Sequence, residues 1–303
     1  MKIDDIEAFV TTVRCQSISL AAQQLGLTQP AITRRLQNLE ESLGIALLDR
    51  HTKPPKPTEQ GWRVHNQCQA VLRELNALRE LAAADLPPTG SIRLGLTQGI
   101  GEVVALHAHR LLRQAWPELA PLMATGSGAG VLLERVERDE LDAAVLFLPR
   151  GALLPRNLHG TRLLESELVV VGRKGDWPGK RHALVECNER GWVLNPDGCG
   201  FRAGLQRALA AKHLPLRVNL DCYGRDLQFQ SVAEGLGLGL SPLPMLESSP
   251  WRERLQTIAL PDFKPMIDLW LVTGKPLGRL DAPVQAFGEA VARQVMAGGE
   301  SRS

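Results

Sequence analysis

The segment from Ser17 to Glu40, SISLAAQQLGLTQPAITRRLQNLE, constrains the fold more than any other part of the chain. Ser17 and Ser19 are helix-start residues, Ala21, Ala22 and Leu25 follow at helical spacing, and Gly26 is a natural stop. Thr28 then caps a second helix, and Pro30 falls in its first turn, where no internal N–H bond is lost. Ile32, Leu36, Leu39 and Leu43, spaced four, three and four, form one narrow apolar stripe. Pro30, Thr33, Arg34 and Gln37 occupy the opposite face, with Gln29 at its exposed amino-terminal edge. Two short helices joined by a tight turn, the second offering hydrogen-bonding side chains, form a helix-turn-helix. Arg and Gln can bond base edges, Thr can bond or pack on a thymine methyl, and the helix start with Thr28 can hold a phosphate. An ordinary helical hairpin with a solvated polar face shares this pattern, so the flanking sequence decides.

Gly44 ends the second helix, and the next stretch, LGIALLDRHTKPPKPTEQG, sets Arg50, Lys53 and Lys56 in a proline-rich loop. Such a loop suits a wing lying along the DNA backbone, where basic side chains neutralise phosphates. From about Thr58 to Ala84, Val64, Cys68, Val71, Leu75, Leu78 and Ala82 alternate spacings of four and three. That period is a coiled-coil seam, which calls for a partner helix or for burial against the chain's own body. Pairing through it would set two helix-turn-helix units on two half-sites of double-stranded DNA.

With these residues in place, the first sixty positions resemble the amino-terminal domain of LysR-type transcriptional regulators. Ala21-Ala22, Leu25, Gln29-Pro30, Ile32, Leu39-Glu40, Leu43-Gly44, Leu47, Arg50, Thr58 and Gly61 carry the resemblance. Leu48 and Leu20 depart from it, standing where the family usually has Phe and commonly a polar residue. The expected DNA-facing set is Ser17, Thr28, Gln29, Pro30, Ala31, Thr33, Arg34, Arg35, Gln37, Arg50, Lys53 and Lys56. Within it Gln29, Pro30, Thr33 and Arg34 serve as base contacts, and Arg35, Arg50, Lys53 and Lys56 as phosphate contacts. The seam argues for a homodimer, and the resemblance implies a homotetramer.

Pro87-Pro88 and Gly90 mark a hinge, after which strand and helix patterns alternate. IRLGLT, PLMATG, LDAAVLFL, ESELVVVGRKG, WVLNP, RVNLDCY, LGLSPL and MIDLWLVTG read as strands with helices between them. This order predicts right-handed β-α-β units with a parallel sheet, in two α/β subdomains joined near Glu165–Val171 and Met266–Val272. The region also looks like the effector-binding portion of LysR-type regulators, which is similar to periplasmic solute-binding proteins. The fold class expected is therefore α/β with an amino-terminal all-α winged helix-turn-helix, a long linker helix and a two-lobed effector domain. The boundaries expected are 1–58, 59–89 and 90–297, the last split into 90–164 plus 266–297, and 165–265.

Ligands in such sheets sit beyond the carboxyl ends of strands, at helix amino termini. Three segments qualify: Thr97-Gln98-Gly99, Gly126-Ser127-Gly128, and the loop Asn195–Arg202, with Cys199, Gly200, Phe201 and Arg202 at its end. Free N–H groups, hydroxyls and one Arg suit a small anion such as a carboxylate, and plain turn chemistry is the alternative for each loop. By the resemblance, the first two loops match effector-contacting positions. Some family members are oxidation sensors, so Cys199 at a helix start raises a second reading, a redox switch resolved by Cys187 or Cys222. A small-molecule binding protein without DNA readout is a third.

Charge does not identify a partner here, since residues 1–60 hold seven basic and seven acidic side chains. Five widely spaced cysteines without C-x-x-C, and His107 and His109 two apart, lead us to expect neither a disulfide framework nor a metal site. GLGLGL (Gly235–Leu240) and GSGAG (Gly126–Gly130) lack the spacing of nucleotide loops, and no nucleophile motif is present. Neither catalysis nor a cofactor is expected. The acidic start MKIDDIEAFV is unlike a signal peptide, no apolar run reaches membrane-span length, and a cytoplasmic protein without a membrane partner is expected.

Overall fold

The computed structural model describes residues 1–49, 52, 54–82, 86–178, 182–196, 199–274 and 276–300. The chain forms two compact units, 1–84 and 85–303.

The first unit opens with α1 (Ile3–Cys15). Ile6, Phe9, Val10 and Val13 recur at helical spacing and are buried, which gives α1 its inward face. Next come α2 (Ile18–Gln24) and α3 (Gln29–Leu43). The Ser17 hydroxyl accepts the Leu20 N–H at 3.3 Å and the Thr28 hydroxyl accepts that of Ala31 at 3.4 Å, so both act as caps. Ile32, Leu36 and Leu39 join the α1 residues in one core. Leu43, expected in the same stripe, is 38% exposed, because that core ends at Leu39 along the helix.

The wing begins as two short antiparallel strands, β1 (Leu48–Asp49) and β2 (Lys56–Pro57). Arg50 and Lys53 lie outside the described residues. Glu40 pins the wing to α3, accepting the N–H groups of Leu47 at 2.8 Å and Leu48 at 3.2 Å. The long helix α4 (Glu59–Ala82) starts hard against the same loop: Thr58 donates to the Ala46 carbonyl, and a Cβ on Gly61 would collide with the Leu47 carbonyl oxygen. Along α4 the seam divides. Val64 and Cys68 pack into the unit's own core, whereas Val71 and Leu78 are exposed.

The second unit runs β3 (Gly90–Thr97), α5 (Gln98–Ala115), β4 (Leu119–Ser127), α6 (Ala129–Glu137), β5 (Ala143–Pro149) and β6 (His159–Arg173). It continues through α7 (Leu184–Arg190), β7 (Trp192–Leu194), α8 (Gly200–Ala210), β8 (Val218–Asp221), α9 (Arg225–Ala233), β9 (Gly239–Pro242) and α10 (Leu243–Glu247). It closes with β10 (Leu255–Ile258), β11 (Met266–Thr273) and α11 (Asp281–Glu300). Among the described residues, one sheet has the order β10-β6-β11-β5-β3-β4, with β9 also paired to β6. The expected parallel sheet is thus corrected to a mixed one. β3 lies parallel to β4 and β5, but β11 runs antiparallel to both β5 and β6. An antiparallel neighbour needs no crossover helix beside it, so strand–helix alternation did not reveal these pairs.

The fifteen-residue β6 links the two lobes. Its residues 159–167 pair with β11, and residues 168–173 pair with β9 and β10. The first lobe buries Ile92, Leu94 and Leu96 beneath α5 and α11, and Leu146 and Val272 beneath α6. In the second, β7 and β8 pair in parallel and Trp192 bridges to Leu238 beside β9.

Candidate functional site

On the surface of α3, Gln29, Pro30, Thr33, Arg34 and Gln37 are exposed and Ala31 is half-buried. Arg34 makes no ion pair among the described residues. The Thr33 hydroxyl donates to the Gln29 carbonyl at 3.0 Å, so outward it offers its methyl group and acceptor lone pairs. Arg35 is half-buried and donates to Asp4 of α1 at 3.2 Å, which ties it to its own fold. Lys56 is exposed on β2. As caps, Ser17 and Thr28 use a lone pair and keep their O–H available as a donor.

The second unit contains a cavity of about 340 Å³ between its lobes. Its walls come from Thr97, Gln98 and Gly99 at the start of α5, Gly128 and Ala129 at α6, Cys199, Gly200 and Phe201 at α8, and Tyr223 and Arg225 at α9. At all four helix starts the N-cap residue makes no side-chain capping bond, and at α9 the carboxylate of Glu102 accepts the first N–H instead, at 2.8 Å. The N–H groups at the starts of α5, α6 and α8 leave partial positive charge at the cavity wall. Phe147, Leu240 and Met245 make the remainder largely apolar, and the buried Gln228 and Ser241 add polar atoms. Gln228 spends its amide N–H on the Val193 carbonyl at 2.9 Å, and Ser241 donates to the Pro242 carbonyl at 3.0 Å.

Thr97, Gln98, Gly99, Gly128, Cys199, Gly200 and Phe201 therefore all stand on one wall or another. The side chain of Ser127 lies outside the described residues. Arg202 does not line the cavity. It ion-pairs with Asp221 and donates to the Asn195 carbonyl at 3.3 Å, because one residue along α8 turns a side chain roughly 100° away from Phe201. The cation in the wall is Arg225, which the sequence reading missed. Its side chain is 11% exposed, held by Asp226 at 3.2 Å and Ser248 at 3.4 Å. The signal was present: Tyr223-Gly224 follows a strand and precedes a helix, as the three chosen loops do.

The thiols differ in setting. Cys199 is half-buried at the cavity, whereas Cys187 and Cys222 are buried. Burial first, then the charges of Glu186 and Asp262, pushes the Cys187 thiol up to about 12. Burial and then Asp221 and Glu102 push Cys222 up to about 11. Both stay protonated at neutral pH and are poor nucleophiles for resolving an oxidised Cys199. Above pH about 9 the unfolded chain loses the Cys187 proton while the folded chain keeps it. Stability contributed by this thiol is therefore intact below that pH and declines as the pH rises toward about 12. Urea unfolding at pH 8 and pH 10.5 should show that decline, and Cys187→Ala should make it smaller.

A winged helix-turn-helix followed in the chain by a two-lobed unit with a ligand cavity defines a DNA-binding regulator that responds to a small molecule. Residues 3–62 match the model for bacterial regulatory helix-turn-helix proteins of the lysR family, and residues 86–296 match the LysR substrate binding domain. The chain belongs to the LysR family of transcriptional regulators. It is 26% identical to the RuBisCO operon transcriptional regulator of Allochromatium vinosum over 301 residues, covering 96% of this chain and 95% of that one. It is 27% identical to the HTH-type transcriptional regulator BbuR of Bordetella bronchiseptica, over 97% of this chain and 90% of that one. Among solved structures, a full-length OxyR variant from Pseudomonas aeruginosa matches with a TM-score of 0.75 at 19% identity, covering 96% of this chain and 94% of that one. CbnR complexed with its target DNA matches with a TM-score of 0.55 at 16% identity, over 97% of this chain and 100% of that one. These likenesses show the fold, a winged helix-turn-helix followed by an α/β domain. Among the described residues no helix is long and apolar enough to cross a membrane.

Proposed function

We propose that this regulator reads DNA through Gln29, Pro30, Thr33 and Arg34 of α3 and takes a small anionic effector in the interlobe cavity. The observation that carries the effector class is the convergence of three helix starts without side-chain caps, together with Arg225, on one largely apolar chamber. Each helix start favours a nearby anion by about 0.3–1 kcal/mol, and a guanidinium adds a charge-assisted bond. The apolar walls select for a hydrocarbon body behind the anionic group, so a monocarboxylate fits better than an inorganic ion. The test is calorimetric titration with carboxylates of increasing hydrocarbon size and with their amides. The acids should bind more tightly than the amides, and equal binding would contradict the anionic class.

On the DNA side, Arg34 is exposed without an ion pair among the described residues, and Thr33 presents its methyl group, which suits a thymine. Arg34→Ala should cost about 1–3 kcal/mol at the right sequence and relax discrimination at one base position. Lys56→Ala should weaken all sequences alike and flatten the salt dependence. Competition binding with single-base operator variants separates the two roles.

The exposed part of the α4 seam, Val71, Leu78 and Ala82, supports self-association through a second copy of this helix. Leu78→Asp should shift the protein to smaller species in sedimentation velocity, and an unchanged coefficient would remove α4 from the interface. Two such dimers would give the tetramer that the family resemblance implies. An effector acts through different affinity for two arrangements of that assembly, which changes the spacing of the DNA-reading heads. The site of action is the cytoplasm, where the target DNA lies.

A further inference from the structure

Glu102 sits on α5, one turn past the helix start and on the cavity's outer side, and its partner belongs to the other lobe. Its carboxylate accepts the backbone N–H of Arg225, the first residue of α9, at 2.8 Å, and the Gln98 amide lies 3.5 Å away. Helix α9 has no side-chain cap of its own: its N-cap is Gly224, with φ of 94°. A Cβ at position 224 would collide with the Glu102 carboxylate. Glycine is therefore required twice over, by the left-handed backbone and by the close approach of a charge from the opposite lobe. Asn195 completes the arrangement by accepting the Gly224 N–H at 3.3 Å.

We propose that Glu102 is a built-in anion that caps α9 across the cleft and so holds the lobes closed. Of the four helix starts around the cavity, α9 is the one already neutralised, which leaves the other three and Arg225 for a ligand. The same bond fixes the backbone of Arg225, so the wall's cation is positioned from the opposite lobe. This strap is a property of the chain itself and does not depend on which effector binds.

Hydrogen exchange on the full-length protein tests the strap. Glu102→Ala should speed exchange in the peptide covering residues 224–230 by about fivefold or more, the size expected for loss of one cap. Exchange should also rise in both lobes at the cavity segments 97–100 and 240–245, because the closed state is less populated. Glu102→Gln, which keeps an acceptor of the same length, should retain most of the protection, and Glu102→Asp, one methylene shorter, should not. Added acetate should restore protection over residues 224–230 in the Ala variant while adding little there in the wild type, whose α9 start is already capped by Glu102, a rescue that a general packing defect would not show. Unchanged exchange over residues 224–230 in the Ala variant would overturn the cap. A rise confined to that peptide would overturn the closure role.

Discussion

Arg225→Ala is expected to lower the affinity for an anionic effector by about two orders of magnitude while leaving effector-free DNA binding intact. Arg225 is the cation in the cavity wall, and its guanidinium is nine-tenths buried against Asp226 and Ser248. Losing the guanidinium from a charge pair with a bound carboxylate in this cavity costs roughly 2–5 kcal/mol, and each 1.4 kcal/mol is about a factor of ten. Arg202→Ala should behave differently. That side chain is spent on Asp221 and the Asn195 carbonyl, so its loss should reduce stability modestly and affinity little. Titration of both variants with the carboxylate that binds best to the wild type separates them. Equal losses at the two positions would mean that the anion sits beside α8 and not beside α9.

Trp192→Ala should be the most damaging single change to the effector unit, costing about 3–5 kcal/mol of its stability. Trp192 is fully buried in β7, in the core that joins the sheet to α8. Its indole N–H donates to the Asn188 side-chain carbonyl at 3.2 Å, and that same carbonyl accepts the N–H of Arg217, the residue just before β8. Asn188 also donates to the Pro215 carbonyl at 2.9 Å, so one tryptophan organises the packing of α7, β7 and β8. The strand it anchors leads directly to Asn195 and Pro196 in the cavity wall. Chemical denaturation should therefore show an early transition for this unit, with effector binding lost before DNA binding.

These two residues also mark where sequence reasoning succeeds and where it stops. The α3 stripe of Ile32, Leu36 and Leu39 was legible because one helix period fixes which side faces the core. The loops at Thr97, Gly128 and Cys199 were legible because each joins a strand to a helix, and such junctions converge at one edge of a sheet. Arg225 obeys the same rule and was passed over in favour of Arg202, whose direction depends on how α8 is rotated. Gln228, Ser241 and Met245 line the cavity from within a helix, a strand and a short turn of helix, and no local pattern signals their inward aim. Residues His159 to Arg162 of β6 are exposed and polar, so they show no alternation, and the long strand that joins the lobes was read from its apolar end alone. The seam on α4 suits a partner helix or burial against the chain's own body, and it divides between them: Val64 and Cys68 are claimed by their own unit's core. A heptad pattern states that a face is apolar and leaves open what covers it.

The other expectations for DNA binding rest on the proposal that α3 reads sequence. The most direct test is binding of the purified protein to the duplex immediately upstream of its own gene, titrated at several salt concentrations beside a random duplex. Tighter binding to the upstream duplex is expected, with a steep fall in affinity as salt increases. Arg34→Ala should shrink that preference by about 1–3 kcal/mol while the salt-dependent background remains. Equal affinity of wild type and Arg34→Ala for an operator that the protein demonstrably prefers would contradict the placement of the reading face on α3.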